Sequence, residues 1–148
     1  MKESYDKAFD ILCKLEGYTS NLKYDNGELT IWGITSRFYP EHVKKMSEMS
    51  QNEAKEYAKI FYKKRFWDQL KLDDKPTPYD IVYFCQYVNS PEGAMMSDNP
   101  EHDPVAFLNR FKKYYLNVID KRPEKAVFKN GWLNRLSKLA KMVGINYV

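Results

Sequence analysis

The chain has 148 residues, enough for one domain around one core. Its 30% charged and 16% aromatic composition, with only six glycines, excludes a disordered or fibrous protein. The net charge of +4 hides an uneven distribution: residues 104–148 hold ten lysines and arginines against two acids, Asp120 and Glu124, a net of +8, whereas residues 1–103 hold 14 against 18, a net of −4. No apolar run approaches the roughly 20 residues of a membrane span, and the opening "MKESYDKAFD" lacks the unbroken apolar region of a signal peptide.

Synthesis in the cytoplasm without a signal peptide is therefore expected, with no stable membrane insertion. The basic last third points either to an anionic partner (nucleic acid, a membrane surface or an anionic polymer) or simply to solvated helix faces. No helix-turn-helix spacing or RNP-like motif accompanies it, so nucleic acid is not expected as a partner. Cys13 and Cys85 sit in apolar helical patterns and read as reduced core thiols. His42 and His102 are isolated, so no metal-ligand spacing exists, and neither a metal nor a cofactor is expected.

In chain order, Tyr5, Ala8, Phe9, Leu12 and Leu15 recur at three- and four-residue steps and predict a helix over residues 3–16, with Gly17 as its stop. Glu16 lies four residues after Leu12, at the inner edge of the apolar face. Residues 18–35 mix turn formers with Tyr24, Leu29, Ile31, Trp32 and Ile34, and predict a short hairpin or irregular β lobe.

Helices follow. "SQNE" at Ser50 is a capping box for a helix ending near Trp67. "YDIVYFCQYV", from Tyr79 to Val88, predicts a helix buried on most sides. "NSPEGAMMSDNPEHDP" reads as a loop. Asp103 with Pro104 starts another helix, Pro123 breaks it, and a last helix opens near Gly131. The expected fold class is mainly α, with a small β lobe after the first helix. It is read as one domain over 1–148: a catalytic region at 1–90 with its β lobe at 18–35, and basic helices at 103–148.

Glycoside hydrolysis uses two carboxyl groups in different settings. One stays protonated to serve the glycosidic oxygen; the other stays ionised to steady the developing cation or activate water. A helix-end Glu half buried among aromatics and an Asp in a polar turn offer those two settings. Glu16 and Asp25 fit the description, although the same pattern also describes a surface Glu and a turn-bracing Asp.

The segment "LEGYTSNLKYDNGELTIWGIT" resembles the signature of the glycoside hydrolase 108 family, N-acetylmuramidases that include phage endolysins and secretion activator proteins. Glu16, Gly17, Asp25, Gly27, Thr30, Gly33, Ile34 and Thr35 fall in its register without a gap. The resemblance continues through "MSQNEAKEYAKIFYKKRFWDQL", "VNS" at Val88–Ser90 and "GWLNR" at Gly131–Arg135. The spacing of Glu16, Asp25 and Thr30 is also similar to that of the phage-type lysozymes.

These resemblances imply a lysozyme-like α+β fold and cleavage of the bond between N-acetylmuramic acid and N-acetylglucosamine in the glycan strands of bacterial peptidoglycan. Glu16 would be the general acid, Asp25 would stabilise the cation or orient water, and Thr30 would place water or hold the lobe. Tyr24 and Trp32 would stack on sugar faces, and Asn89 would hydrogen-bond an acetamido group. They further imply a monomeric endolysin that acts on the cell wall or periplasm after release. The alternatives are a muramidase serving protein secretion and a non-catalytic wall-binding module.

The sequence departs from the family pattern in four places. Tyr18 stands where the second glycine is expected, Thr19 where the tyrosine is, and Glu28 where the later glycine pair ends; the stretch after "VNS" is short. A glycine next to Gly17 can take a positive φ, which Tyr18 resists.

Overall fold

In the computed structural model, residues 4–20 and 28–147 are described. The first helix, α1, spans Ser4–Glu16. Three two-residue strands follow: β1 (Thr19–Ser20), β2 (Thr30–Ile31) and β3 (Ile34–Thr35), forming an antiparallel sheet in the order β1-β2-β3. The remaining helices are α2 (Pro40–Ser47), α3 (Gln51–Tyr62), α4 (Tyr79–Asn89), α5 (Pro91–Ser97), α6 (Pro104–Lys121) and α7 (Lys129–Val143). The mainly α architecture with a small β lobe after the first helix is as expected.

The chain divides into two compact units. One holds residues 12–70; the other holds residues 1–11 and 71–148. Helix α1 therefore starts in the second and ends in the first.

In the unit of residues 12–70, α1 stops at Gly17, whose φ of +74° is the left-handed conformation that closes a helix. The Gly17 N–H donates to the Cys13 carbonyl at 2.8 Å. Tyr18 is not among the residues with positive φ. The glycine carries the left-handed step alone, and a tyrosine after it is tolerated. Helix α2 starts with Pro40 in its first turn and buries Val43 and Met46. Helix α3 has the expected capping box: Ser50 Oγ accepts from the Glu53 N–H at 3.2 Å, and Glu53 Oε1 accepts from the Ser50 N–H at 3.3 Å. It buries Ala54, Ala58, Phe61 and Tyr62. A π-helical turn, Lys63–Trp67, carries the chain on to the fully buried Trp67.

In the other unit, α4 is the buried helix that its apolar run predicts, with every residue from Tyr79 to Gln86 buried. Cys85, like Cys13 in the first unit, is buried as a thiol. The stretch after α4 corrects one expectation. Residues 91–97 are helix α5, not loop: Ser90 caps it by accepting from the Gly93 N–H at 3.2 Å, and Pro91 sits in the first turn, where its missing N–H costs nothing. Gly93 permits the packing. A Cβ there would lie 2.6 Å from Phe111 Cζ and 2.8 Å from Tyr114, both on α6. Helix α6 begins as expected, with Asp103 accepting from the Val105 N–H at 2.9 Å.

A polar network crosses this unit's interior. Gln86, fully buried, donates to the Tyr115 hydroxyl at 3.1 Å and accepts from Arg135 Nε at 3.0 Å. Arg135 also donates to the Cys85 carbonyl at 2.8 Å, and Tyr115 donates to Asn89 at 2.5 Å. Arg135→Ala would strip both buried acceptors of a charged donor. We expect a loss of about 1–3 kcal/mol, read from urea unfolding, with Arg135→Lys intermediate because it lacks the planar fork.

Candidate active site

The β lobe is built around a two-residue turn. Ile31 pairs with Ile34 across it, leaving Trp32 and Gly33 as its central residues. Both have positive φ, 48° and 84°, the signature of a type I′ hairpin turn. Gly33 adopts this readily. Trp32 does so at a cost of about 1–3 kcal/mol.

Its surroundings offset that cost. The Trp32 N–H donates to the Tyr18 carbonyl at 2.6 Å, its indole N–H donates to the Gln51 carbonyl at 3.3 Å, and its own carbonyl accepts from the Tyr62 hydroxyl at 3.0 Å. The ring lies 5.5 Å from that of Tyr18, has Lys55 Nζ 5.4 Å from its centroid, and is only 8% exposed. At about 0.5–1.5 kcal/mol per hydrogen bond, with the ring's burial added, the anchoring exceeds the strain. Helix α3 thus holds the turn from both its first residue and its last.

This grip sets the turn against Glu16. A Cβ on Gly33 would lie 2.6 Å from the Tyr62 hydroxyl, 3.1 Å from Glu16 Cγ and 3.5 Å from Glu16 Cδ. The end of α1 and the tip of the hairpin therefore meet with no room for a side chain between them, and the half-buried Glu16 carboxyl has the Gly33 backbone as one wall.

The other sequence-predicted site residues are distributed as follows. Thr30 is half-buried on β2, opposite Thr35. Trp32 belongs to the turn itself. Asp25 and Tyr24 lie outside the described residues. Asn89 ends α4 in the other unit, where its side-chain oxygen accepts from Tyr115. Glu28 is half-buried just before β2. Sequence reasoning missed the positioning role of Tyr62. It stands in the apolar stripe of α3, and its pattern gives no sign that its hydroxyl reaches a turn thirty residues earlier.

A carboxyl at the end of the first helix, walled by the turn of a small β lobe in a mainly α fold, is a lysozyme-like build. The chain belongs to the glycosyl hydrolase 108 family, which matches residues 9–90, more than half of its length. At the family level it is a peptidoglycan hydrolase of the muramidase-like kind. Among solved structures it is similar to Brucella abortus SagA, with a TM-score of 0.66 over 98% of this chain and 97% of that one. At 17% identity, that likeness shows a shared fold. No curated protein matches the sequence significantly.

Gly33→Ala combines an unfavourable φ with the two close contacts. We expect it to cost about 2–4 kcal/mol, read by thermal or urea unfolding, and to lower wall-clearing activity even where the protein remains folded.

Proposed function

We propose that this chain is an N-acetylmuramidase that cleaves the bond between N-acetylmuramic acid and N-acetylglucosamine in bacterial peptidoglycan, with Glu16 as the general acid. The observation that supports this most is the seat of Glu16: a half-buried carboxyl at a helix end, fixed against a hairpin turn that leaves no room for a side chain. A general acid must be held within hydrogen-bond reach of the leaving oxygen, and a rigid backbone wall restricts the side chain to few orientations.

In this reading Glu16 gives its proton to the glycosidic oxygen as the bond breaks. The Asp25 carboxylate stabilises the oxocarbenium-like transition state or orients the attacking water. Thr30, on the strand leading into the turn, places that water or holds the lobe. Trp32, with its ring committed to the turn, holds the seat of Glu16, while Tyr24 supplies a stacking face for a sugar. Asn89, whose oxygen is engaged by Tyr115, offers its amide N–H groups to an acetamido carbonyl. The protein works as a monomeric phage or prophage endolysin, made in the cytoplasm and acting on the wall after release.

The test is turbidity loss of purified peptidoglycan, with product analysis by mass spectrometry. Wild type is expected to clear the suspension and leave N-acetylmuramic acid at the new reducing ends. Glu16→Gln is expected to be slower by a factor of about 10²–10⁴ with its melting temperature retained. Equal clearing by both would remove Glu16 from the mechanism. Binding to sacculi without clearing by either would identify a wall-binding module instead.

A further inference from the structure

The basic last third of the chain carries an apolar tip that the muramidase reading does not use. Between α6 and α7 the chain turns through a 3-10 helix, Pro123–Phe128, in which no residue is buried. Val127 is 80% exposed and Phe128 is 48% exposed. Around them, within residues 121–129, stand four cations, Lys121, Arg122, Lys125 and Lys129, against one acid, Glu124. Lys125 Nζ lies 5.6 Å from the Phe128 ring centroid, so charge and apolar surface are side by side. The Phe128 ring stacks on Trp132 at 5.7 Å, which holds it in place.

Cations alone would fit any polyanion. An exposed valine and phenylalanine among them fit a partner with an apolar layer just beneath an anionic surface. A symmetric contact with the same surface of a second copy is disfavoured, because residues 104–148 carry a net +8 on each chain. A soluble anionic polymer would leave Val127 and Phe128 in water and gain nothing from their exposure.

We propose that the Lys121–Lys129 turn docks on the surface of an anionic lipid bilayer. The cations meet the headgroups, and Val127 and Phe128 enter the headgroup–acyl boundary. The attachment is peripheral, since no helix among the described residues is long and apolar enough to cross a membrane. Each cation contributes about a fivefold gain in affinity at low salt. Such docking would hold a wall enzyme at the membrane face of its substrate, and it does not depend on which residue is the general acid.

Co-sedimentation of the full chain with phosphatidylglycerol vesicles and with phosphatidylcholine vesicles tests this, with retention on a polyphosphate resin measured in parallel. Wild type is expected to sediment with phosphatidylglycerol far more than with phosphatidylcholine, and less as salt rises. The double variant Val127→Ser, Phe128→Ser is expected to lose about tenfold in vesicle affinity while keeping its melting temperature, its wall-clearing rate and its polyphosphate retention. A single Val127→Ser variant, at the more exposed position, gives a smaller loss in the same direction and guards against misfolding of the double variant. The proposal is overturned if wild type does not sediment with phosphatidylglycerol at low salt. It is equally overturned if the serine variants bind vesicles as tightly as wild type, which would assign the surface to soluble polyanions.

Discussion

The candidate site depends on the absence of a Cβ at Gly33. The hairpin turn and the end of α1 approach so closely that the smallest added carbon would collide with the Tyr62 hydroxyl and press on Glu16. This contact turns two separate local preferences, a glycine that ends a helix and a glycine that closes a hairpin, into one arrangement around a carboxyl group. Gly17 stops α1 directly after Glu16, and the next residue, Tyr18, offers its carbonyl and its ring to Trp32. The acid is thus fixed at a corner whose two sides are tied by backbone hydrogen bonding.

The turn itself runs against local preference. A bulky aromatic residue in the left-handed region is an outlier, and Trp32 persists there because Gln51, Tyr62 and Tyr18 each hold one of its polar groups. Strain of this kind concentrates where geometry matters more than stability. The other unit applies polar bonding differently. There the Gln86, Tyr115, Asn89 and Arg135 network lies between helices and leaves no buried side-chain polar atom unsatisfied among the described residues. It braces α4 and α7 and presents Asn89 at a helix end.

Much of this was legible in the sequence, for identifiable reasons. Helix α1, the Ser50 capping box, buried α4 and the Asp103–Pro104 helix start all follow from local periodicity and capping, which act within four residues. Glu16 was marked by its place on the helix and by its family-like register with Gly33. Helix α5 was missed because "PEGAMMS" reads as a loop: its glycine weakens the helix locally and is kept for close packing on α6, a tertiary gain outside any short window. Helix α2 was also missed: only Val43 and Met46 of its eight residues are buried, and two apolar positions in so short a polar segment are too few to mark a helix by periodicity. The role of Trp32 as an anchor was hidden for a related reason. An aromatic residue in an aromatic-rich lobe reads equally well as a sugar platform, and only its three polar contacts show which of its surfaces are occupied. The lone left-handed step at Gly17 explains why Tyr18 can replace a glycine that the family pattern leads one to expect.

Gly33 matters because its backbone forms the wall beside Glu16, with the Tyr62 hydroxyl behind it. A double-mutant cycle between Gly33→Ala and Tyr62→Phe, read in both unfolding free energy and wall-clearing rate, tests this most directly. Removing the hydroxyl takes away the nearer of the two collisions, so Tyr62→Phe is expected to be less harmful in the Gly33→Ala background than alone, or even restorative. Residual loss would come from the φ of residue 33 and its contact with Glu16. Strict additivity of the two substitutions in both readouts would show that the wall beside Glu16 does not depend on that contact.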